Sequence, residues 1–190
     1  VRVGRTVLPA FLLSETRKVA YTYSWVRPPL DVYALLPLTS SDGLDVSYRL
    51  HFGELVNTVQ VSAGENVTKL VNNGGTIESK GVWSISNTSE FGPLTTRITY
   101  NSTKLTLASI NNLFDAFRQF GPQGLAIADK FDLNERRVTF MGVGASYDPG
   151  NWFVMSEWGH ADTDSVFGNR SAWYVSGGYR LGKFTPYVTY

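Results

Sequence analysis

Aromatic residues recur six positions apart toward the end of this chain, and no other feature constrains its fold as tightly. Trp152 and Trp158, Trp173 and Tyr179, and Phe184 and Tyr190 form such pairs, and Leu94 and Tyr100 repeat the interval upstream. Strand side chains alternate between faces, so an even interval keeps both members on one side. Six residues of a strand tilted by about 40° set two rings roughly 15 Å apart in height, compatible with the ~25 Å apolar band of a barrel in a bilayer. Aromatics at the two edges of such a band meet the water–lipid interfaces.

The rhythm of the chain supports the same reading. Leu44, Val46, Tyr48, Leu50 and Phe52 alternate with Asp45, Ser47, Arg49 and His51. Alternation of that kind argues for a sheet with one apolar and one wet face. Strands are predicted at 1–8, 44–52, 55–63, 76–86, 94–107, 138–147, 152–160, 171–181 and 183–190. The connections between them alternate long and short, with short turns at Gly53-Glu54, residues 87–93, residues 148–151 and Gly182. An up-and-down transmembrane barrel has this asymmetry, whereas a Greek-key sandwich has no reason to keep it. The expected fold is therefore all-β, an antiparallel up-and-down transmembrane β-barrel. One short loop helix is predicted within 108–136, with Ser109 as cap, Leu113, Phe114, Phe117 and Phe120 at helical spacing, and Gly121-Pro122 as its stop.

At 190 residues the chain is read as one domain. Its apolar runs fall short of the ~18 residues that a membrane helix needs, which says little about strands that expose apolar groups at every second position. A formal net charge of +1 argues against a nucleic-acid groove or a polybasic patch. The absence of cysteine excludes disulfides and thiolate chemistry. Val1 and Tyr190 both fall inside strand patterns, so the chain is read as an internal piece of a longer protein.

Residues out of phase with the aromatics decide what kind of barrel to expect. They include Arg49, His51, Gln60, Lys80, Arg97, Lys104, Glu157, Tyr174, Ser176, Arg180, Lys183 and Thr185. A sealed core of such groups carries a severe desolvation penalty, whereas a water-filled lumen holds them easily.

Three stretches resemble bacterial outer-membrane general porins: Val3-Gly4-Arg5 with Pro9 and the run Tyr21-Thr22-Tyr23-Ser24-Trp25-Val26-Arg27-Pro28-Pro29 followed by Val32-Tyr33; Gly142 to Trp152 with Glu157; and Trp173 to Lys183 running into Thr185-Pro186-Tyr187. The resemblance implies about nine strands of a barrel of about 16, usually trimeric, with one long loop folded inward. By that analogy residues 9–43 form the constriction loop, carrying Glu15, Arg17, Lys18 and Asp31, and residues 108–136 form a long extracellular loop. The pore lining expected is Arg49, His51, Lys80, Arg97, Lys104, Glu157, Tyr174 and Arg180. An ordinary solvated loop is the other reading of the four loop charges.

The two histidines, His51 and His160, lie at opposite ends of their strands, with no serine and carboxylate identified on a compatible face, so neither zinc binding nor nucleophilic catalysis is expected. Asp162 and Asp164 read as a polar loop rather than a Ca²⁺ site, and Gly142-Val143-Gly144 as wall packing rather than a phosphate cradle. No cofactor is expected. The expected function is non-enzymatic: passive diffusion of small hydrophilic solutes and ions with a weak preference for anions, in contact with membrane lipid and lipopolysaccharide, as a homotrimer that binds no nucleic acid. The rival readings are an outer-membrane β-barrel enzyme and a soluble ligand-binding barrel.

Overall fold

Nine strands pair in chain order into one antiparallel sheet: β1 (Arg2–Val7), β2 (Ser40–Phe52), β3 (Leu55–Lys69), β4 (Thr76–Phe91), β5 (Leu94–Leu107), β6 (Arg136–Tyr147), β7 (Trp152–Thr163), β8 (Arg170–Tyr179) and β9 (Tyr187–Thr189). The structure, a computed structural model, describes residues 1–16, 19, 25, 27–69 and 75–190. Because each strand pairs with its sequence neighbours, the turns after β2, β4, β6 and β8 share one rim and the longer connections share the other. Gly53 and Gly92 take φ of 63° and 53° at the two-residue turns after Phe52 and Phe91, where a hairpin demands left-handed backbone. β2, β3, β4, β6 and β7 outrun their expected bounds, β3 and β4 most of all, β5 matches them, and β1, β8 and β9 stop short, β9 covering only Tyr187–Thr189 of the expected 183–190. The run Asn72-Asn73-Gly74-Gly75 between β3 and β4, a turn signal by its composition, lies, but for Gly75, outside the described residues.

One face of the sheet is bare and apolar. Tyr48, Val61, Ile85, Ile98, Val143, Trp158, Trp173 and Val175 all stand exposed on it. Its aromatics pair across strands, Tyr147 with Trp152 toward the turn rim at 5.4 Å, and Trp83 with Tyr100 at mid-strand at 5.3 Å. In water this surface would exceed the few hundred Å² of contiguous apolar area that soluble monomers expose. Among the described residues no helix is long and apolar enough to cross a membrane, so any crossing falls to the strands.

The other face is covered. The described part of the chain between β1 and β2 lies across it, and Leu8, Phe11, Val32, Tyr33, Leu35, Leu36 and Leu38 form a buried cluster with Phe140 of β6 and Tyr174 of β8. Phe11 stacks on Tyr33 at 4.5 Å and meets Phe140 edge-on at 5.1 Å. Three glycines make room for this close approach. A Cβ at Gly142 would lie 3.2 Å from Ala10 O, one at Gly144 3.2 Å from Leu12 Cβ, and one at Gly159 3.0 Å from Leu35 Cδ1. The Gly142-Val143-Gly144 run is therefore a seat cut into the wall.

Between β5 and β6 the single expected helix is two: α2 (Ala108–Arg118) and α3 (Gly121–Phe131), preceded in the chain by the one-turn α1 (Leu30–Tyr33). Gly121, at φ 75°, ends α2 as expected, but Pro122 then opens a new helix, where its missing N–H goes unneeded. Asp132 bridges the pair to β6, accepting from Arg118 at 2.8 Å and from Arg136 at 2.7 Å.

Candidate functional site: a polar space between wall and inner segment

Charged and polar side chains of β1 to β5 face a cavity of about 550 Å³ beside the inner segment, lined by Arg2, Ser47, Arg49, Thr58, Gln60, Thr88, Glu90 and Arg97 of the wall and by Glu15 of the segment. Sheet register explains the wall: Arg49 pairs with Thr58, Thr58 with Thr88, and Thr88 with Arg97, and paired residues share a face. Each cation meets a different fate. Arg2 Nη2 lies 2.8 Å from the buried Asp45 carboxylate, which also accepts from Gln60 at 2.6 Å. Arg97 is buried, donates to Thr88 Oγ1 at 2.9 Å and to Phe11 O at 2.7 Å, and lies 3.9 Å from Glu15. Arg49 is exposed to the cavity and, among the described residues, has no carboxylate within ion-pair distance.

Glu157 and Tyr174 also face the covered side, beneath the inner segment rather than beside the cavity. The Glu157 carboxylate accepts from Tyr33 Oη at 2.6 Å, from Tyr174 Oη at 2.7 Å and from the Leu12 amide at 2.6 Å. Trp25 Nε1 donates to Ser176 Oγ and Thr189 Oγ1 at 3.2 and 2.8 Å, and its ring meets Tyr174 edge-on. These groups anchor the inner segment. They were legible as wet-face residues, but their partners in the segment were not.

Three expected positions are corrected, Lys80, Lys104 and Asp31, and Arg180 is placed at the rim of the covered face. Lys80 and Lys104 stand on the bare face. Lys80 pairs with Lys104 across β4 and β5, and a register shift between Lys80 and Trp83, with Gly81 at φ 56°, reverses the alternation of β4 at that point. Lys104 shares the parity of Tyr100 on an unbroken stretch of β5 and so points with it. Arg180 lies past the end of β8 at the turn rim, paired with Asp148 at 2.6 Å and set over the Phe153 ring. That guanidinium holds the Asp148 carboxyl below its ordinary range, chiefly through the hydrogen bond. Asp31, on α1, stands at the opposite rim beside Asn169 and Arg170, away from the Arg49 cavity. His51 is exposed on the covered-face parity next to the turn at Gly53. Arg17 and Lys18 lie outside the described residues. The sequence reading missed Arg2 and Glu90, although Glu90 shares the parity of Ser84, Ser86 and Thr88.

The solved structures similar to the chain include an in-vitro folded and an outer-membrane expressed form of OmpT, an outer membrane protein of Vibrio cholerae. They share 10% and 11% identity with it at TM-scores of 0.45 and 0.44, with 98% of this chain covered in each case and 63% and 64% of theirs. The chain thus spans less than two thirds of their length. No curated protein matches it. The expectation of a non-enzymatic chain is withdrawn. It rested on no serine and carboxylate being identified on a compatible face with either histidine, yet on the bare face His160 Nδ1 lies 2.7 Å from Ser171 Oγ. The model of the Gram-negative porins matches residues 16–190. That match covers most of the chain, on a sheet with one bare apolar face and one covered polar face: the chain belongs to the Gram-negative porin family, and its place is the outer membrane.

Proposed function

We propose that this chain forms part of the wall and the internal constriction of a water-filled channel through which small hydrophilic solutes and ions diffuse. The observation that carries this reading is the 550 Å³ cavity, walled by Arg49, Thr58, Thr88, Glu90 and Arg97 on one side and by Glu15 of the inner segment on the other. Polar groups gathered on the covered face, with the aromatics on the bare one, suit water inside and lipid outside. Within a bilayer the outer edges of β1 and β9 need partners, and we infer closure into a barrel of about 16 strands, assembled as a homotrimer.

Ion preference follows from which charges are spent. Arg2 is neutralised by Asp45, and Arg97 is held by Phe11 and Thr88 and opposed by Glu15. Arg49 is then the cation with most influence on passing ions, against Glu90, so the preference for anions is weak. Reversal potentials of the full-length protein in planar bilayers under a salt gradient test both levels. A weak anion preference that Arg49→Gln moves toward cations is the expected result. Cation preference unmoved by Arg49→Gln removes the selectivity assignment, and a folded protein that conducts nothing removes the channel.

A further inference from the structure

The inner segment does not fill all of the wall it covers. Toward the rim of the long connections a cavity of about 240 Å³ remains between the segment and the covered face of β4 to β7. Ile77, Leu105, Leu107 and Val138 belong to the wall side, and Leu35 and Pro37 to the segment. Only Thr163 and Arg170 bring polar groups to its lining, and the Thr163 hydroxyl is spent on Ser165 Oγ at 3.2 Å. Water gains little in such a space, since an apolar cavity of ~150 Å³ stays dry and accepts a benzene ring. This one has room for a ring with a short stem.

Its walls are fixed before any occupant arrives. Phe167 lines it from the connection between β7 and β8, which is tied to α3 by Val166 N donating to Phe131 O at 3.1 Å. Phe167 N donates to Ser165 Oγ at 3.3 Å within the same connection. Leu35 sits in the recess left by Gly159. A pocket already shaped loses less on binding than one that has to be ordered.

A wider hollow of about 690 Å³ adjoins the cavity, with Ala34, Leu35 and Arg170 as walls common to both and with Asp31 and Asn169 added. The Arg170 guanidinium lies over the Phe167 ring at 5.4 Å, and Asp31 is exposed on α1. Among the described residues neither has an opposite charge within ion-pair distance. The hollow thus holds one cation and one anion, with a dry apolar recess behind them. A simple anion would meet Asp31 as well as Arg170, and a simple cation the reverse. An uncharged apolar molecule would use neither. A small zwitterion with an apolar side chain matches all three features.

We propose that this is a binding site for a free α-amino acid with an aromatic or branched aliphatic side chain. Its carboxylate meets Arg170, its ammonium meets Asp31, and its side chain enters the 240 Å³ recess. Charge-assisted hydrogen bonds are the strong ones, and guanidinium matches carboxylate with two at once. The site lies at the opposite rim from the Arg49 cavity and stands whether or not that cavity conducts.

The test titrates the full-length protein, folded in detergent micelles, with phenylalanine and three trimmed relatives, binding being read by saturation-transfer NMR. Phenylpropionate lacks the ammonium, phenethylamine lacks the carboxylate, and glycine lacks the side chain. Phenylalanine is expected to bind tightest, and loss of any one group to weaken binding by roughly 10-fold or more. Arg170→Gln should bring phenylalanine down to the level of phenethylamine and leave phenethylamine itself unmoved. Asp31→Asn should do the same with respect to phenylpropionate. The unmoved ligand in each variant shows that the pocket is still folded. Phenylpropionate or phenethylamine binding as tightly as phenylalanine overturns the zwitterion assignment, and glycine doing so overturns the recess. Undiminished phenylalanine binding in both variants overturns the site. Phenylalanine binding by a protein that conducts no ions supports this proposal while removing the channel reading.

Discussion

Glu157 draws three donors from three distant parts of the chain, and this fixes the inner segment in direction as well as in place. Apolar packing by Phe11, Tyr33 and Leu35 resists removal of the segment but resists sliding weakly, since dispersion contacts have little directionality. Leu12 N, Tyr33 Oη and Tyr174 Oη all end on one buried carboxylate. Glu157→Ala takes from the Leu12 amide its acceptor on the wall, a loss of about 1–3 kcal/mol where water does not reach it. The expected outcome is faster hydrogen exchange at the Leu12 amide with little change in the amides of β6 and β7. Unchanged exchange at Leu12 would show that packing holds the segment without the carboxylate. Sequence parity placed Glu157 on the wet face correctly. It offered no route to Leu12 or Tyr33, which lie 145 and 124 residues away.

Among the elements, β4 shows where alternation is a sound guide and where it fails. Ser84, Ser86 and Thr88 point to the covered face as their parity requires, and the same parity count carried back to Lys80 gives the wrong side. One inserted residue, Gly81, reverses everything before it. Deleting Gly81 is expected to restore regular alternation and leave Lys80 on the bare face, because Lys80 then directly precedes the inward Val82. The chain has no cysteine, so a dye on Lys80→Cys reports its side directly. Quenching by spin-labelled lipids should be strong with Gly81 present and equally strong without it; weak quenching with Gly81 present, gained only on its deletion, would refute the bulge assignment. Lys104 is a different lesson, because its parity with Tyr100 was readable and its charge suggested water instead. The second helix was hidden for another reason. Gly121-Pro122 serves equally as a stop and as a start, and only the packing of α3 near Asp132 distinguishes the two.

For the whole molecule, the division between faces assigns each described tryptophan to a solvent. Trp83, Trp152, Trp158 and Trp173 are exposed on the bare face, and Trp25 is buried beneath the inner segment. In vesicles of brominated lipid, the emission of single-tryptophan variants retaining any of those four is expected to fall sharply, and that of a variant retaining Trp25 to change little. Strong quenching of Trp25 would mean that the covered face meets lipid. The seat of glycines has a consequence for time as well as space. Gly142, Gly144 and Gly159 create a recess only when β6 and β7 are already side by side, and Arg97 and Glu157 reach the segment only from a finished β5 and β7. Closing contacts of such long sequence separation comes late in folding. The wall must therefore assemble before its own inner segment can dock, so the nascent sheet passes through a stage at which its polar interior is wider than it will ever be again.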